Sequence, residues 1–220
     1  LDPTDTTGRE KSGRVRILIW QGVVKLISFH TPLQFPDGHV DPFNWLRPIL
    51  GYGPETMYVA YNRFYPPELA TVEARNASPD RSHNETFDAL VITGLLGLVA
   101  WQALFLSVIL FAFRALGVVG SRRDGWMLVG LWVGGAVAAA LLAMFLVGPI
   151  YLGVAVPVGV ILGVVAYLIY QALFGRTEPA EASDSAHSFA SDRLLMNALV
   201  AAVLAHYVEI HFGIAISATR

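Results

Sequence analysis

One histidine in a polar cluster is the strongest candidate for chemistry in this sequence. His83 follows Asp80 and Arg81 and precedes Asn84, directly before a long apolar run. Histidine titrates near neutral pH, so it can act as a general base that takes a proton from an attacking hydroxyl group. The same residues also suit a helix start, because Asn is a favoured N-cap residue. Two interpretations of His83 therefore remain open: a general base, or part of a polar helix cap.

Arginines upstream of His83 and next to it are candidates for holding an anionic substrate. Arg16 is the first choice, and Arg14 is close enough to replace it; Arg47 and Arg81 are further candidates. A guanidinium group can bind two oxygens of a phosphate at once. For every arginine except Arg16, the simpler interpretation is pairing with lipid headgroups at a membrane surface.

A glycine turn and a histidine–glutamate pair complete the set of candidates. Gly51 and Gly53 predict a tight turn that brings the backbone close either to a ligand or to the next element, and we count both as candidate substrate-binding residues together with Asn84. His206, Glu209 and His211 lie in an apolar segment, and His206 and Glu209 share one helix face. With no third ligand at a suitable spacing, we predict burial of these residues against other helices and no metal site.

The composition shows what kind of elements must position these residues. Apolar residues make up 55% of the chain and charged residues 15%, with a mean hydropathy of +0.53; a soluble domain carries roughly 25% charged residues. Charges concentrate in residues 1–86 and are sparse in 87–174. We therefore predict an all-α polytopic membrane protein, in which an extramembrane loop segment with short amphipathic helices precedes three or four transmembrane helices.

Composition also excludes several classes of function. The net charge is -2, and the one basic cluster, Arg122–Arg123, is too small for a nucleic-acid interface. The chain has no cysteine, which excludes disulfides, thiolate metal sites and a cysteine nucleophile.

Periodicity and hydropathy divide the chain into segments. Residues 14–29 predict an amphipathic helix at the membrane surface, with a buried strand at 15–19 as the alternative. Short helices are expected at 41–46 and 55–64. The apolar runs predict membrane-spanning helices of about 20 residues or more, at 87–113, 126–147, 150–174 and 194–216. Residues 175–192 are a polar linker.

Glycines predict how the spans pack against one another, and short polar loops predict which side of the membrane each loop faces. Gly130, Gly134 and Gly135 in one run, and Gly153, Gly159 and Gly163 in the next, predict close helix packing in lipid. The loop at 114–125 carries three arginines against one acidic residue, which favours the cytoplasmic side. Residues 1–86 are then expected outside and the linker at 175–192 in the cytoplasm.

Three stretches in the order found here resemble the O-antigen ligase and polymerase family. One is His83-Asn84 followed by an apolar helix that contains Thr93-Gly-Leu-Leu-Gly-Leu98. The others are Arg16-Ile-Leu-Ile-Trp20 and the turn Arg47-Pro-Ile-Leu-Gly-Tyr-Gly-Pro-Glu55. The resemblance covers roughly residues 14–105.

The resemblance implies a membrane glycosyltransferase. It would move a glycan from a polyprenyl-diphosphate carrier to an acceptor on the periplasmic face of the bacterial inner membrane, with His83 and Arg16 as catalytic residues. It implies no metal and no cofactor, and its partners would be membrane lipid and the lipid-linked glycan. Family members have further spans upstream, so the chain is expected to be part of a longer protein. The alternative is a non-catalytic accessory subunit that packs its helices against a larger membrane complex.

Overall fold

Helices account for all the long elements of the structure. The computed structural model describes residues 6–35, 37–73, 78–175 and 186–212. Its α-helices are α1 (Thr6–Ile27), α2 (Arg47–Leu50), α3 (Met57–Ala60), α4 (Leu69–Val72), α5 (Glu85–Ala115), α6 (Arg122–Leu146), α7 (Leu152–Phe174) and α8 (Ala186–Phe212). Short 3₁₀ helices lie at Asn44–Leu46, Tyr61–Phe64 and Pro149–Tyr151.

Four of these helices are long and apolar enough to cross a membrane. Their mean hydropathies are 2.3, 2.2, 2.5 and 1.5 in chain order. The spans are Glu85–Ala115, Arg122–Leu146, Pro149–Phe174 and Asp192–His211. The chain is therefore a multi-pass, all-α membrane protein, and the predicted fold class is confirmed.

Several local predictions differ from the structure. The first helix begins at Thr6 rather than near residue 14, and it continues through 15–19, so the alternative of a strand there is wrong. The short helix expected at 41–46 starts only at Asn44 and continues as α2. The polar linker ends earlier than predicted, because α8 already begins at Ala186. Residues 176–185 and 213–216 lie outside the described residues.

The apolar side of α1 packs on protein. Leu18, Ile19, Trp20, Val23 and Leu26 are buried in one core cluster, which they share with Leu33, Met57, Ala60, Tyr61, Leu69, Phe87 and Val91. The amphipathic helix is therefore confirmed, and its location at the membrane surface stays a prediction. An amphipathic pattern shows that one face is covered, but it does not show what covers it.

A second core holds the four spans together. Tyr207 of α8 lies at its centre, with ring centroids 5.1 Å from Phe105 of α5 and 5.8 Å from Trp132 of α6. The Tyr207 hydroxyl donates to Gln102 Oε1 at 3.2 Å. The aromatic contacts and this bond tie α8 to α5 and α6, so the last span belongs to the same bundle as the first three.

Helices α6 and α7 form an antiparallel hairpin with a close glycine contact. A Cβ atom on Gly135 would collide with the carbonyl oxygen of Gly159, and one on Gly163 would collide with that of Leu131. Gly130 and Gly134 face open space instead. Close packing in lipid depends on such small residues, so the predicted glycine contact is present, but only part of the predicted glycine face takes part in it.

Helix α5 is broken at Gly94, where the backbone leaves the helical region with φ 66° and ψ -165°. The turn at Gly51–Gly53 lies against the break. The amide of Tyr52 donates to the Val91 carbonyl at 2.7 Å, and that of Gly53 donates to the Ile92 carbonyl at 2.9 Å. These bonds satisfy carbonyl groups that the interrupted helix leaves without helical partners.

The glycine contact gives a prediction with a neighbouring control. We expect Gly135→Ala to lower the free energy of unfolding by about 1–3 kcal/mol, because a methyl group there forces the two backbones apart. Gly134→Ala adds the same methyl group in open space, so it should leave stability unchanged or raise it. Thermal unfolding of both variants in detergent, followed by circular dichroism, measures the difference. Equal midpoints for the two variants would show that the hairpin does not depend on this contact.

Candidate functional site

The candidate site lies where α5 begins, beside the start of α7 and the end of α8. Asn84 is the N-cap of α5, and its Oδ1 accepts from the Phe87 amide at 3.2 Å. Its Nδ2 donates to the carbonyls of Gly153 and His211, both at 2.8 Å. Asn84 is only 1% exposed. The predicted cap is confirmed, and the side chain is occupied by backbone groups rather than presented to a substrate.

Ser82 is the second fixed point of the site. It is fully buried, and its carbonyl accepts from Trp20 Nε1 of α1 at 2.9 Å. Its amide donates to Asp88 Oδ1 at 2.7 Å, and its hydroxyl donates to the Asn84 carbonyl at 2.9 Å. The chain on both sides of position 83 is therefore held by buried hydrogen bonds to α1 and α5.

His83 lies between these two fixed residues in a left-handed conformation. Its φ angle is 57°, in a region that residues other than glycine adopt uncommonly, and histidine is one of the types found there more often than most. The side chain is half-buried, in contrast to Ser82 and Asn84. Within the described part of the chain, its imidazole has no hydrogen-bond partner. The backbone thus holds an imidazole at the surface with both ring nitrogens available.

Arg16 lies on the same face of α1 as Trp20, whose indole donates to the Ser82 carbonyl. Trp20 lies one helical turn further along, and side chains four residues apart share a helix face at about 5–6 Å. Arg16 is half-buried and interacts within the protein. The Trp20–Ser82 bond therefore ties the helix that carries Arg16 to the residue before His83.

Arg47 and the glycine turn have structural partners. Arg47 Nε and Nη2 donate to the buried Asp41 carboxylate at 2.7 and 3.0 Å, and the guanidinium lies 5.2 Å from the centre of the Tyr52 ring. The predicted close approach at Gly51 is to the next element, because a Cβ atom there would meet the Ile92 backbone. Gly53 binds the same helix.

The remaining predicted arginines are on the surface. Arg81 is exposed and lies 3.7 Å from Glu55, which is also exposed. Arg14 is exposed on α1. Neither side chain is fixed by a buried partner in the described part of the chain, so both are free to reach a ligand or a lipid headgroup.

A groove runs from the site along α5 into the span. Its volume is about 420 Å³, and its lining extends from Glu85 to Leu104 over the small residues Ala89, Gly97 and Ala100. The lining is mainly apolar, and Glu85 stands at the end nearest His83. The groove can therefore take a chain-like apolar group whose polar end lies at Glu85.

The predicted histidine–glutamate pair of α8 is exposed rather than buried. His206 Nδ1 lies 3.8 Å from a carboxylate oxygen of Glu209, with more than half of each side chain accessible. The expected burial is therefore wrong for His206 and Glu209, and it is confirmed for His211, which is 1% exposed.

Sequence reasoning missed the residues that hold the site together. Ser82 and Asp88 stand next to the predicted cluster, but nothing in their spacing shows that one binds the other or that both are buried. Trp20 belongs to the Arg16–Trp20 stretch, but that stretch does not show that its indole binds Ser82. The carbonyl partners at Gly153 and His211 have no sequence signal, since any residue has a carbonyl group.

Comparisons with protein-family models, with curated proteins and with solved structures give no match. Inference about function therefore starts from the residues and geometry of the site.

The conformation of His83 predicts a stabilising substitution. Glycine adopts φ 57° without strain, so His83→Gly should raise the free energy of unfolding by about 1 kcal/mol. His39→Gly is the control, because His39 is exposed and has no positive φ; it should be neutral or slightly destabilising. Denaturant unfolding in detergent measures both. A clear loss of stability in His83→Gly would contradict the strained state.

The Asp41–Arg47 pair predicts acid sensitivity. The Arg47 guanidinium, which donates hydrogen bonds to Asp41, holds the pKa of that carboxyl below its ordinary value of 3.8. A lowered folded-state pKa adds stability above the ordinary pKa, and this stability is lost as the pH falls through the folded-state pKa. We expect the unfolding midpoint to drop as the pH falls below about 4, and to drop less in Asp41→Asn.

Asp37→Asn serves as the control for this measurement, because Asp37 is exposed and pairs only with the exposed His39. It should keep the full acid-induced drop of the unchanged chain. An equal drop in Asp41→Asn and Asp37→Asn would show that the buried pair does not cause the acid sensitivity.

Proposed function

We propose that this chain contains the catalytic region of a membrane glycosyltransferase similar to O-antigen ligases and polymerases. The enzyme would transfer a glycan from a polyprenyl-diphosphate carrier to an acceptor hydroxyl. The site would face the periplasm of the bacterial inner membrane, as the positive loop at the opposite end of the bundle favours.

One observation carries the proposal. His83 is held in a left-handed conformation between two buried, hydrogen-bonded residues, and its imidazole is presented without a partner among the described residues. A helix cap alone does not require this, because Asn84 already provides the cap. Strained residues with a free functional group are typical of catalytic sites.

The proposed reaction is a displacement at the anomeric carbon of the donor sugar. His83 takes the proton of the acceptor hydroxyl, and the acceptor oxygen forms a bond to the anomeric carbon. The bond between that carbon and the diphosphate oxygen breaks, and the electron pair leaves with the diphosphate. The Arg16 guanidinium stabilises the developing negative charge. No metal or cofactor takes part in these steps.

The groove along α5 supports a lipid-linked donor. It begins at Glu85, two residues after His83, and follows the span with a mainly apolar lining. An isoprenoid chain in this groove would place its diphosphate near the start of α5. Arg81 lies within electrostatic range of Glu85 and would offset part of the diphosphate charge; Arg16 is the second cation that the proposal assigns to the diphosphate.

The decisive experiment measures glycan transfer by the intact gene product that carries this chain. We expect His83→Asn to reduce transfer by about 100-fold or more, the usual contribution of a general base. Asparagine tolerates the left-handed conformation, so the fold is kept while the base is removed. Arg16→Gln, which removes the charge at similar length, should also strongly reduce transfer.

His39→Asn and Arg123→Gln are the matched controls, because both residues are exposed and remote from the site in sequence. Both should transfer at the wild-type rate at equal membrane expression. Undiminished transfer in His83→Asn and Arg16→Gln would overturn the assigned roles. A fully expressed wild type that transfers no glycan to any tested acceptor would favour the accessory-subunit alternative.

A further inference from the structure

The segment between the first helix and the glycine turn exposes large apolar side chains. It comprises the 3₁₀ helix Asn44–Leu46 and α2, with Phe43 directly before them. Four large apolar side chains here are about half exposed: Phe43 56%, Trp45 67%, Ile49 42% and Leu50 53%. An exposed group of this kind marks an interaction surface.

The charged side chain of this segment is paired with a buried carboxylate. Arg47 lies among the four apolar residues in sequence, and its guanidinium binds the carboxylate of Asp41, whose side chain is 1% exposed. The segment can therefore meet an apolar environment without burying an unpaired charge.

The depth of the segment follows from its contact with α5. Gly94 lies against the Ile49 backbone, and Tyr52 and Gly53 bind carbonyl groups just before the break. Arg114 is the first charged residue after the apolar part of α5, and Gly94 to Phe113 comprises 20 residues. A hydrocarbon core of about 30 Å needs about 20 helical residues. A crossing of that length that ends before Arg114 would begin near Gly94, and the Ile49 backbone lies against Gly94.

The exposed face is continuous with a surface that already faces lipid. Leu95 and Leu96, the next residues of α5 after the break, are 52% and 57% exposed within a candidate span. The backbone of the turn is hydrogen-bonded to α5, which is the condition for irregular backbone near hydrocarbon. Tryptophan at the edge of the segment is the residue most typical of a bilayer interface.

We propose that Phe43, Trp45, Ile49 and Leu50 form a membrane-docking face that inserts among lipid acyl chains at the bilayer boundary, next to the break in α5. The occupant of this face is bilayer lipid itself, and no specific headgroup is needed, because the face is apolar. The face anchors the glycine turn against α5. This inference is independent of the proposed glycosyl transfer.

The absence of cysteine from the whole sequence makes a direct test possible. Single-cysteine variants of the full chain at positions 45, 49 and 50 are nitroxide-labelled and reconstituted in phosphatidylcholine nanodiscs. Collision with oxygen reports exposure to lipid, and collision with an aqueous nickel chelate reports exposure to water. Val99→Cys, on the exposed side of α5, is the lipid reference, and Glu68→Cys, exposed in the extramembrane part, is the water reference.

The expected result is that Trp45→Cys, Ile49→Cys and Leu50→Cys resemble Val99→Cys, with high oxygen accessibility and loss of nickel accessibility relative to Glu68→Cys. Nickel accessibility equal to that of Glu68→Cys would overturn the proposal, because the face would then lie in water. Protection from both reagents would also overturn it, since protein rather than lipid would cover the face. All three positions are exposed, so the substitutions leave the buried core unchanged.

Discussion

The hydrogen bonds of the Asn84 side chain hold together the end of the bundle where α5 and α7 begin and α8 ends. This side chain accepts from the first turn of α5 and donates to carbonyl groups at the start of α7 and the end of α8. The first amides of α5 and the last carbonyls of α8 have no partner within their own helices, and the Gly153 carbonyl of α7 has none because residue 157 is proline. At a buried site, a polar group left without its partner costs about 1–3 kcal/mol. The amide therefore sets the positions of three helices relative to one another.

Conformational strain at His83 follows from this constraint. Asn84 is fixed by the helices below it, and Ser82 is fixed by Trp20 of α1 and by Asp88 of α5. The single residue between two such anchors must close the connection, and it does so with a positive φ. The network thus determines where the imidazole lies, and it couples α1, which carries Arg16, to the start of the first span.

Local features of this arrangement were predictable from the sequence, and the contacts between distant segments were not. The spans followed from runs of apolar residues, and the cap at Asn84 followed from residue type and position. The partner of the glycine turn could not be predicted in this way, because Gly51 indicates that another segment comes close but does not identify that segment. The packing partners of α1 could not be predicted either. Its apolar spacing shows that one face is buried, but the residues that bury this face lie far along the chain and include Tyr61, Leu69 and Phe87.

The pattern of buried and presented groups separates three residues that the fold explains from one that it does not. Ser82, Asn84 and Asp88 are buried and bonded, so their presence is explained by the fold alone. His83 is not explained in this way. Glycine would fill the left-handed position without strain, and it would preserve every hydrogen bond made by the flanking residues. The proposed catalytic role therefore depends on the imidazole of His83, whereas the flanking residues serve the fold whether or not that proposal holds.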